Sequence, residues 1–127
     1  MQNLSQIINH LEQDYISKTV NTISNLLTKY NIGYLQNQPL VFYDGKEHLT
    51  RKPAFWLPQE TNTIIDITKD KSTAENLKDL YDKNEFDSII VTPRYTQNPS
   101  WQYSLIEEIA SYAKQPTAYD MLPAEYR

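Results

Sequence analysis

The sequence contains no cysteine, only two glycines and no long apolar run. The lack of cysteine excludes a disulfide framework, a thiolate zinc site and a cysteine nucleophile. The sequence contains neither a P-loop nor a GxGxxG dinucleotide-binding loop. No apolar segment approaches the roughly 20 residues that span a bilayer, and the first residues do not resemble a signal peptide. We therefore expect a cytoplasmic protein without a membrane segment.

The sequence also lacks a surplus of basic residues. Its 16 acidic and 12 basic side chains give a formal net charge of −4. Proteins that bind nucleic acid non-specifically usually carry a basic surplus, because phosphate neutralisation dominates that affinity. A nucleic-acid-binding role would therefore require a local basic patch on an acidic molecule.

The length of 127 residues is typical of one domain. We predict a single domain with an N-terminal helical segment over 1–31 and a C-terminal tail over 115–127. Residues 4–30 carry two apolar stripes at helical spacing, which fit either one long bent helix or two helices that meet near residue 16.

Apolar patterning predicts the order of the remaining elements. These are strands over 40–43, 53–58 and 63–68, a helix capped by Ser72 or Thr73, a strand over 88–92 and a helix over 101–114. His48 falls in a predicted turn, and residues 94–100 are predicted as a loop. The helix between the last two strands is a crossover, so those strands are expected to be parallel, while the earlier strands are expected to be antiparallel. The predicted fold is α/β, a small mixed sheet flanked by helices in the order α-β-β-β-α-β-α.

One pair of segments suggests a specific chemistry. Residues 51–58 read RKPAFWLP, and residues 66–69 read DITK. This pattern resembles the core motif of the PD-(D/E)XK nuclease superfamily, in which a P-D-F-x-L-P segment precedes a hydrophobic-E-hydrophobic-K strand. The predicted element order is also similar to that of the superfamily core. The resemblance implies a restriction-endonuclease-like fold over most of the chain.

The resemblance also implies a metal-dependent site. In that superfamily, carboxylates on adjacent strands and a helper acid from the first helix hold one or two Mg²⁺ ions, which polarise the phosphate and activate water. A lysine two residues after the second acid lies on the same face of its strand, where it stabilises developing negative charge. Mg²⁺ or Mn²⁺ is therefore the cofactor expected of an active member.

The chain departs from this motif at two positions. Ala54 occupies the first acid position and Thr68 occupies the lysine position, whereas Asp66 retains the second acid. Lys69 is adjacent to the lysine position, but in a regular strand its side chain would point away from Asp66. An active enzyme would need a migrated site, for which the candidates are Glu12, Asp44 or Glu60 as carboxylates and Lys52 or Lys69 as the cation.

Asp66 itself has three interpretations. It is a structural polar residue that is hydrogen-bonded to Thr68 or to a basic neighbour, a vestigial acid in a nuclease-like pocket, or a working metal ligand. A metal site would require further carboxylates, with Glu12 and Asp44 as the candidate co-ligands.

Basic and aromatic residues are interleaved near one edge of the predicted sheet. This set fits binding to nucleic acid or to a protein partner, and a solvated rim is the alternative. Its members are Arg51, Lys52, Trp56, Lys69, Lys71, Arg94, Tyr95 and Trp101.

Three functions follow from these observations. The first is a nuclease-fold module that has lost metal-dependent cleavage, needs no cofactor, and acts by binding a protein partner or nucleic acid. The second is an active Mg²⁺- or Mn²⁺-dependent DNA endonuclease with a migrated site. The third is an acidic interaction subunit or inhibitor that is unrelated to nucleic acid. The sequence leaves the oligomeric state open.

Overall fold

The computed structural model describes residues 3–59 and 61–113. It contains α1 (Leu4–Lys29), β1 (Leu35–Gln36), β2 (Leu40–Tyr43), β3 (His48–Arg51), β4 (Phe55–Leu57), β5 (Thr63–Ile67), α2 (Lys71–Lys83), β6 (Asp87–Val91), α3 (Pro93–Thr96) and α4 (Trp101–Ala113). The predicted tail over 115–127 lies outside the described residues. Within them, no helix is both long enough and apolar enough to cross a membrane.

The first helix is continuous, so both apolar stripes belong to one element. It begins with a capping box, in which the side chain of Asn3 accepts from the backbone of Gln6 and the side chain of Gln6 accepts from the backbone of Asn3. Ile23 and Leu27, from the second stripe, are fully buried. Leu4 and its neighbours in the first stripe remain exposed.

Four strands form a mixed sheet in the order β1-β4-β5-β6. β4 is antiparallel to both β1 and β5, whereas β5 and β6 are parallel and are joined through α2. The predicted mixed α/β sheet, with its parallel pair and its antiparallel earlier strands, is confirmed.

Three local predictions were wrong. β2 does not join the main sheet but pairs with β3, in which His48 is a strand residue and not a turn residue. Residues 93–96 form α3 where a loop was expected, since Pro93 occupies an initial helical position that suits its fixed φ. Asp70 caps α2 in place of Ser72 or Thr73, because its carboxylate accepts from the backbone of Thr73.

The core has two parts, one on each face of the sheet. One face packs against α1 and α4 through a cluster that includes Ile65 and Ile67 of β5. The other face packs against α2 and the β2–β3 hairpin through a cluster that includes Ile64 and Tyr81. Because side chains alternate along a strand, Asp66 lies on the same face as Ile64, under α2 and the hairpin.

Candidate functional site

Asp66 is a buried carboxylate with protein donors around it. Only 6% of the residue is exposed. Its Oδ2 accepts a hydrogen bond from the hydroxyl of Tyr81 at 2.6 Å and another from Nη2 of Arg51 at 3.1 Å. Its Oδ1 accepts from the backbone N–H of Ile67 at 3.1 Å. Both carboxylate oxygens are therefore used within the fold.

Arg51 and Tyr81 also contact each other, which closes a three-membered network. Nε of Arg51 donates to the hydroxyl of Tyr81 at 3.0 Å. Arg51 comes from β3, Asp66 from β5 and Tyr81 from α2. The network therefore joins the hairpin, the main sheet and the crossover helix through one buried charge and its counter-charge.

The network shifts the pKa values of Tyr81 and Arg51. Burial, followed by the negative charge of Asp66, raises the pKa of Tyr81 above its ordinary range. Burial lowers the pKa of Arg51, but its contacts with Tyr81 and Asp66 raise it by more, so the net shift is upward. At neutral pH, Tyr81 is therefore a neutral donor and Arg51 a fixed cation.

The other candidate acids are placed elsewhere. Glu12 is exposed on α1. Asp44 closes the β2–β3 turn, where its Oδ1 accepts from the backbone of Lys46 at 2.8 Å and of Glu47 at 2.9 Å. Among residues 3–59 and 61–113, no three Asp, Glu, His or Cys side chains come together as a group able to hold a metal ion. Glu12, Asp44 and Asp66 thus do not converge, and Glu60 lies outside the described residues.

The two positions that depart from the nuclease motif differ in their surroundings. Ala54 is half-buried against the core cluster under α1 and α4. Thr68 follows the end of β5, and its backbone N–H donates to the carbonyl of Val91 at 3.1 Å. The strand ends at Ile67, so Lys69 lies outside the strand alternation. Its ammonium is 6.0 Å from the ring centroid of Tyr15 on α1.

Three of the predicted basic residues come together in one pocket. Lys69, Lys71 and Arg94 are exposed and line a cavity of about 250 Å³ between the ends of β5 and β6 and the start of α2. Among the described residues that line it, Glu75 is the one acid. No carboxylate within the described part of the chain forms an ion pair with any of the three cations. We call this cavity the basic pocket.

The topology explains why these cations meet. β5 and β6 are parallel, so both end at the same edge of the sheet. Lys69 follows β5, Arg94 follows β6, and Lys71 begins the helix between them. In open α/β sheets, ligands bind in the crevice outside the carboxyl ends of such strands. The sequence pattern identified the basic residues, and the parallel pairing brings three of them together.

The remaining predicted binding residues lie outside the basic pocket. The guanidinium of Arg51 is ion-paired with Asp66, and the neighbouring Lys52 is exposed. Trp56 is half-buried under the hairpin, and its Nε1 donates to Oδ1 of Asn62 at 3.1 Å. Trp101 is half-buried and packs edge-on against Tyr95, with their ring centroids 6.4 Å apart.

The sequence analysis did not identify Tyr81 as a functional or positioning residue. Tyr81 lies four residues after Leu77, a spacing that places both on one face of α2, and it is fully buried in the core. Its hydroxyl acts on Asp66, which is 15 residues distant along the chain. No local sequence signal connects these two positions.

Comparisons with known proteins identify no relative of this chain. No protein-family model, curated protein or solved structure matches the chain.

Proposed function

We propose that this chain is a nuclease-like binding module that holds nucleic acid through the basic pocket and does not cleave it by a metal-dependent route. The observation that carries the proposal is the convergence of Lys69, Lys71 and Arg94 in one cavity, where no carboxylate of residues 3–59 or 61–113 is ion-paired with them. The restriction-endonuclease-like assignment of the fold is part of the same proposal.

The clustering of like charges favours an anionic ligand. Three cations face one carboxylate, Glu75, in the pocket. The N-terminus of α2 adds little to this field, because the Asp70 carboxylate caps it. The three cations are exposed and within reach of ligands from solvent, where phosphate groups can pair with them.

The chemistry of Asp66 argues against cleavage. A metal-dependent phosphodiesterase needs carboxylate oxygens that are free to bind the ion. Asp66 is paired with Arg51 and hydrogen-bonded by Tyr81, so a metal would have to displace a guanidinium and a hydroxyl. Ala54 supplies no oxygen ligand at the first acid position of the motif.

A binding experiment with labelled DNA tests the basic pocket. Fluorescence anisotropy with single-stranded and duplex oligonucleotides should show binding at low salt. With about three phosphates neutralised, log K should fall against log salt with a slope of roughly −2 to −3. Lys69→Glu and Arg94→Glu should each weaken binding about tenfold or more and should make the slope shallower by about 1.

Lys46→Glu is the matched control, because it changes net charge equally at an exposed turn outside the pocket. It should bind DNA within about twofold of the wild type, because salt screens the effect of an exposed charge at distances beyond the Debye length. Absence of wild-type binding at low salt, or an equal loss in Lys46→Glu and Lys69→Glu, would contradict the proposal. The same DNA incubated with Mn²⁺ should remain intact, and cleavage that is lost in Asp66→Asn would contradict the non-catalytic part.

A further inference from the structure

The first part of α1 extends beyond the core. Residues 3–14 are all exposed, and Tyr15 is the first half-buried residue of the helix that packs against the core. Four apolar residues lie on the exposed part at positions i, i+3, i+4 and i+7, a spacing that places them on one helix face. They are Leu4, Ile7, Ile8 and Leu11, which are between 42% and 72% exposed. Neither core cluster of the described residues includes them. We call these four residues the N-terminal stripe.

The surroundings of the N-terminal stripe favour a protein partner. A contiguous exposed apolar patch marks an interaction site. Beside the stripe, residues 3–9 carry only Asn, Ser and Gln side chains, and depletion of charge is typical of the core of a protein interface. A helix that lies on a lipid surface instead carries Lys or Arg along its polar face, and α1 has neither before Lys18.

The N-terminal stripe is complementary to itself. Its spacing and its residue types read the same in both directions along the helix, as Leu-x-x-Ile-Ile-x-x-Leu. If two copies pair antiparallel about the midpoint between Ile7 and Ile8, Leu4 lies opposite the partner's Leu11 and Ile7 lies opposite the partner's Ile8. Such a contact uses the same patch on both copies, as in the two-fold dimers that are the commonest oligomers.

The exposed length of α1 fits this arrangement. In the antiparallel pair, the partner's helix begins opposite Leu11. Tyr15 lies one turn further along, where its hydroxyl shares a hydrogen bond with Thr96 at 3.1 Å. The partner's helix therefore ends before it reaches the core. The stripe is about 12 Å long at a rise of 1.5 Å per residue, which is short for a protein interface, so we expect a reversible dimer.

The charges favour an antiparallel over a parallel pair. Glu12 follows the stripe, while Asp14 nearby is ion-paired with Lys18 at 3.1 Å. A parallel pair would place the two copies of Glu12 side by side, where they repel each other. In the antiparallel pair they are about 14 Å apart along the axis, which exceeds the Debye length of about 8 Å at physiological salt. Each then lies near the start of the partner's α1, which has the neutral cap Asn3 and no acid in its first turn, so the helix dipole favours it.

We propose that the N-terminal stripe is the interface of a two-fold antiparallel dimer of this chain, formed by the exposed first turns of α1. The apolar side chains of each copy cover those of the other, and the uncharged residues beside them form the rim. The proposal goes beyond nucleic-acid binding and does not depend on it, because the stripe lies outside the basic pocket.

Sedimentation equilibrium of the full chain tests the dimer. The wild type should reach twice the chain mass of 14.9 kDa, with a Kd between about 1 and 100 µM. Ile8→Asp places two carboxylates beside the two-fold axis and should weaken the dimer about 100-fold or more. Asn9→Asp is the matched control, because it adds the same charge on the polar side of the exposed helix, and it should change Kd by less than about threefold. Both positions are exposed within one copy, so circular dichroism should show both variants folded.

A distance measurement tests the antiparallel arrangement. The chain has no cysteine, so Asn21→Cys provides a single spin label at an exposed position of α1. The label is about 13.5 residues from the proposed two-fold axis, so the two labels of a dimer should be about 40 Å apart at 1.5 Å per residue. A parallel pair would separate them by little more than the distance between packed helix axes, about 10 Å.

Several results would overturn the proposal. These are a wild type that stays monomeric up to about 1 mM, equal effects of Ile8→Asp and Asn9→Asp on the dimer, and a label distance that fits the parallel pair. A monomer in which Ile8→Asp shifts the amide signals of residues 114–127 would overturn it and assign the stripe to that part of the chain. A monomer that binds phosphatidylcholine vesicles, with binding lost in Ile8→Asp, would overturn it and assign the stripe to lipid.

Discussion

Replacing Tyr81 with phenylalanine removes one oxygen atom from the centre of the buried network. The hydroxyl donates to Asp66 at 2.6 Å and accepts from Arg51 at 3.0 Å. The ring is fully buried and packs against Phe42 with ring centroids 5.2 Å apart. Phenylalanine keeps this packing, so the substitution opens no large cavity and reports on the hydrogen bonds.

The expected loss of stability follows from the charge on Asp66. A hydrogen bond to a charged group contributes about 1.5–3 kcal/mol, and leaving a buried acceptor under-satisfied costs a similar amount. Arg51 still reaches the carboxylate, which limits the penalty. We therefore expect Tyr81→Phe to lower the free energy of unfolding by about 2 kcal/mol. A chain of this length is expected to be stable by roughly 6–19 kcal/mol in total.

Urea denaturation measures this loss, with Tyr103→Phe as the matched control because Tyr103 is 64% exposed. The control should change the free energy of unfolding by less than about 0.5 kcal/mol. A double-mutant cycle of Tyr81→Phe with Asp66→Asn should give a coupling energy of about 1 kcal/mol or more. A loss in Tyr81→Phe no larger than that in Tyr103→Phe, or a coupling near zero, would refute the structural role of the network.

Three further predictions concern other parts of the fold. Asn84→Ala should cost about 1–3 kcal/mol and speed hydrogen exchange at Tyr43, because the Asn84 amide donates to the Tyr43 carbonyl and accepts from the Tyr43 N–H, both at 3.0 Å. Leu105→Ala should lower the free energy of unfolding by about 2–5 kcal/mol in urea, because Leu105 is fully buried between α4 and the sheet. Stability should fall as the pH rises from 10 towards 12, because folding raises the pKa values of Tyr81, Tyr95 and Tyr112, the last two from 10.0 to about 12, and the unfolded chain loses these protons first. Tyr95→Phe should reduce that fall, and an unchanged pH profile would contradict this assignment.

The order β5–α2–β6 was predictable because each element has a strong local signal. Three isoleucines identify β5, and Leu77 and Tyr81 share one face of α2. β3 contains one strongly apolar residue, Leu49, in a four-residue strand. A single apolar residue gives no strand signal, so the pairing of β3 with β2 could not be predicted from the local sequence.

The candidate site was less predictable than the fold. The structural interpretation of Asp66 named Thr68 or a basic neighbour as its partner, and the basic neighbour, Arg51, has that role at 3.1 Å. Arg51 and Tyr81 each lie 15 residues from Asp66 along the chain, on different elements. Such contacts arise from the folding of the hairpin and α2 over the sheet, and no spacing rule reports them. Lys69 was expected to lie on a regular strand with its side chain pointing away from Asp66, but β5 ends at Ile67, before Lys69.

The proposed function requires Asp66 to be a structural carboxylate and not a metal ligand. The most direct measurement is paramagnetic line broadening in ¹H–¹⁵N spectra as Mn²⁺ is added to the wild type and to Asp66→Asn. We predict that the amides of Asp66 and Ile67 keep their line widths at substoichiometric Mn²⁺, with any broadening confined to residues near exposed carboxylates. Selective broadening at Asp66 and Ile67 that disappears in Asp66→Asn would contradict it.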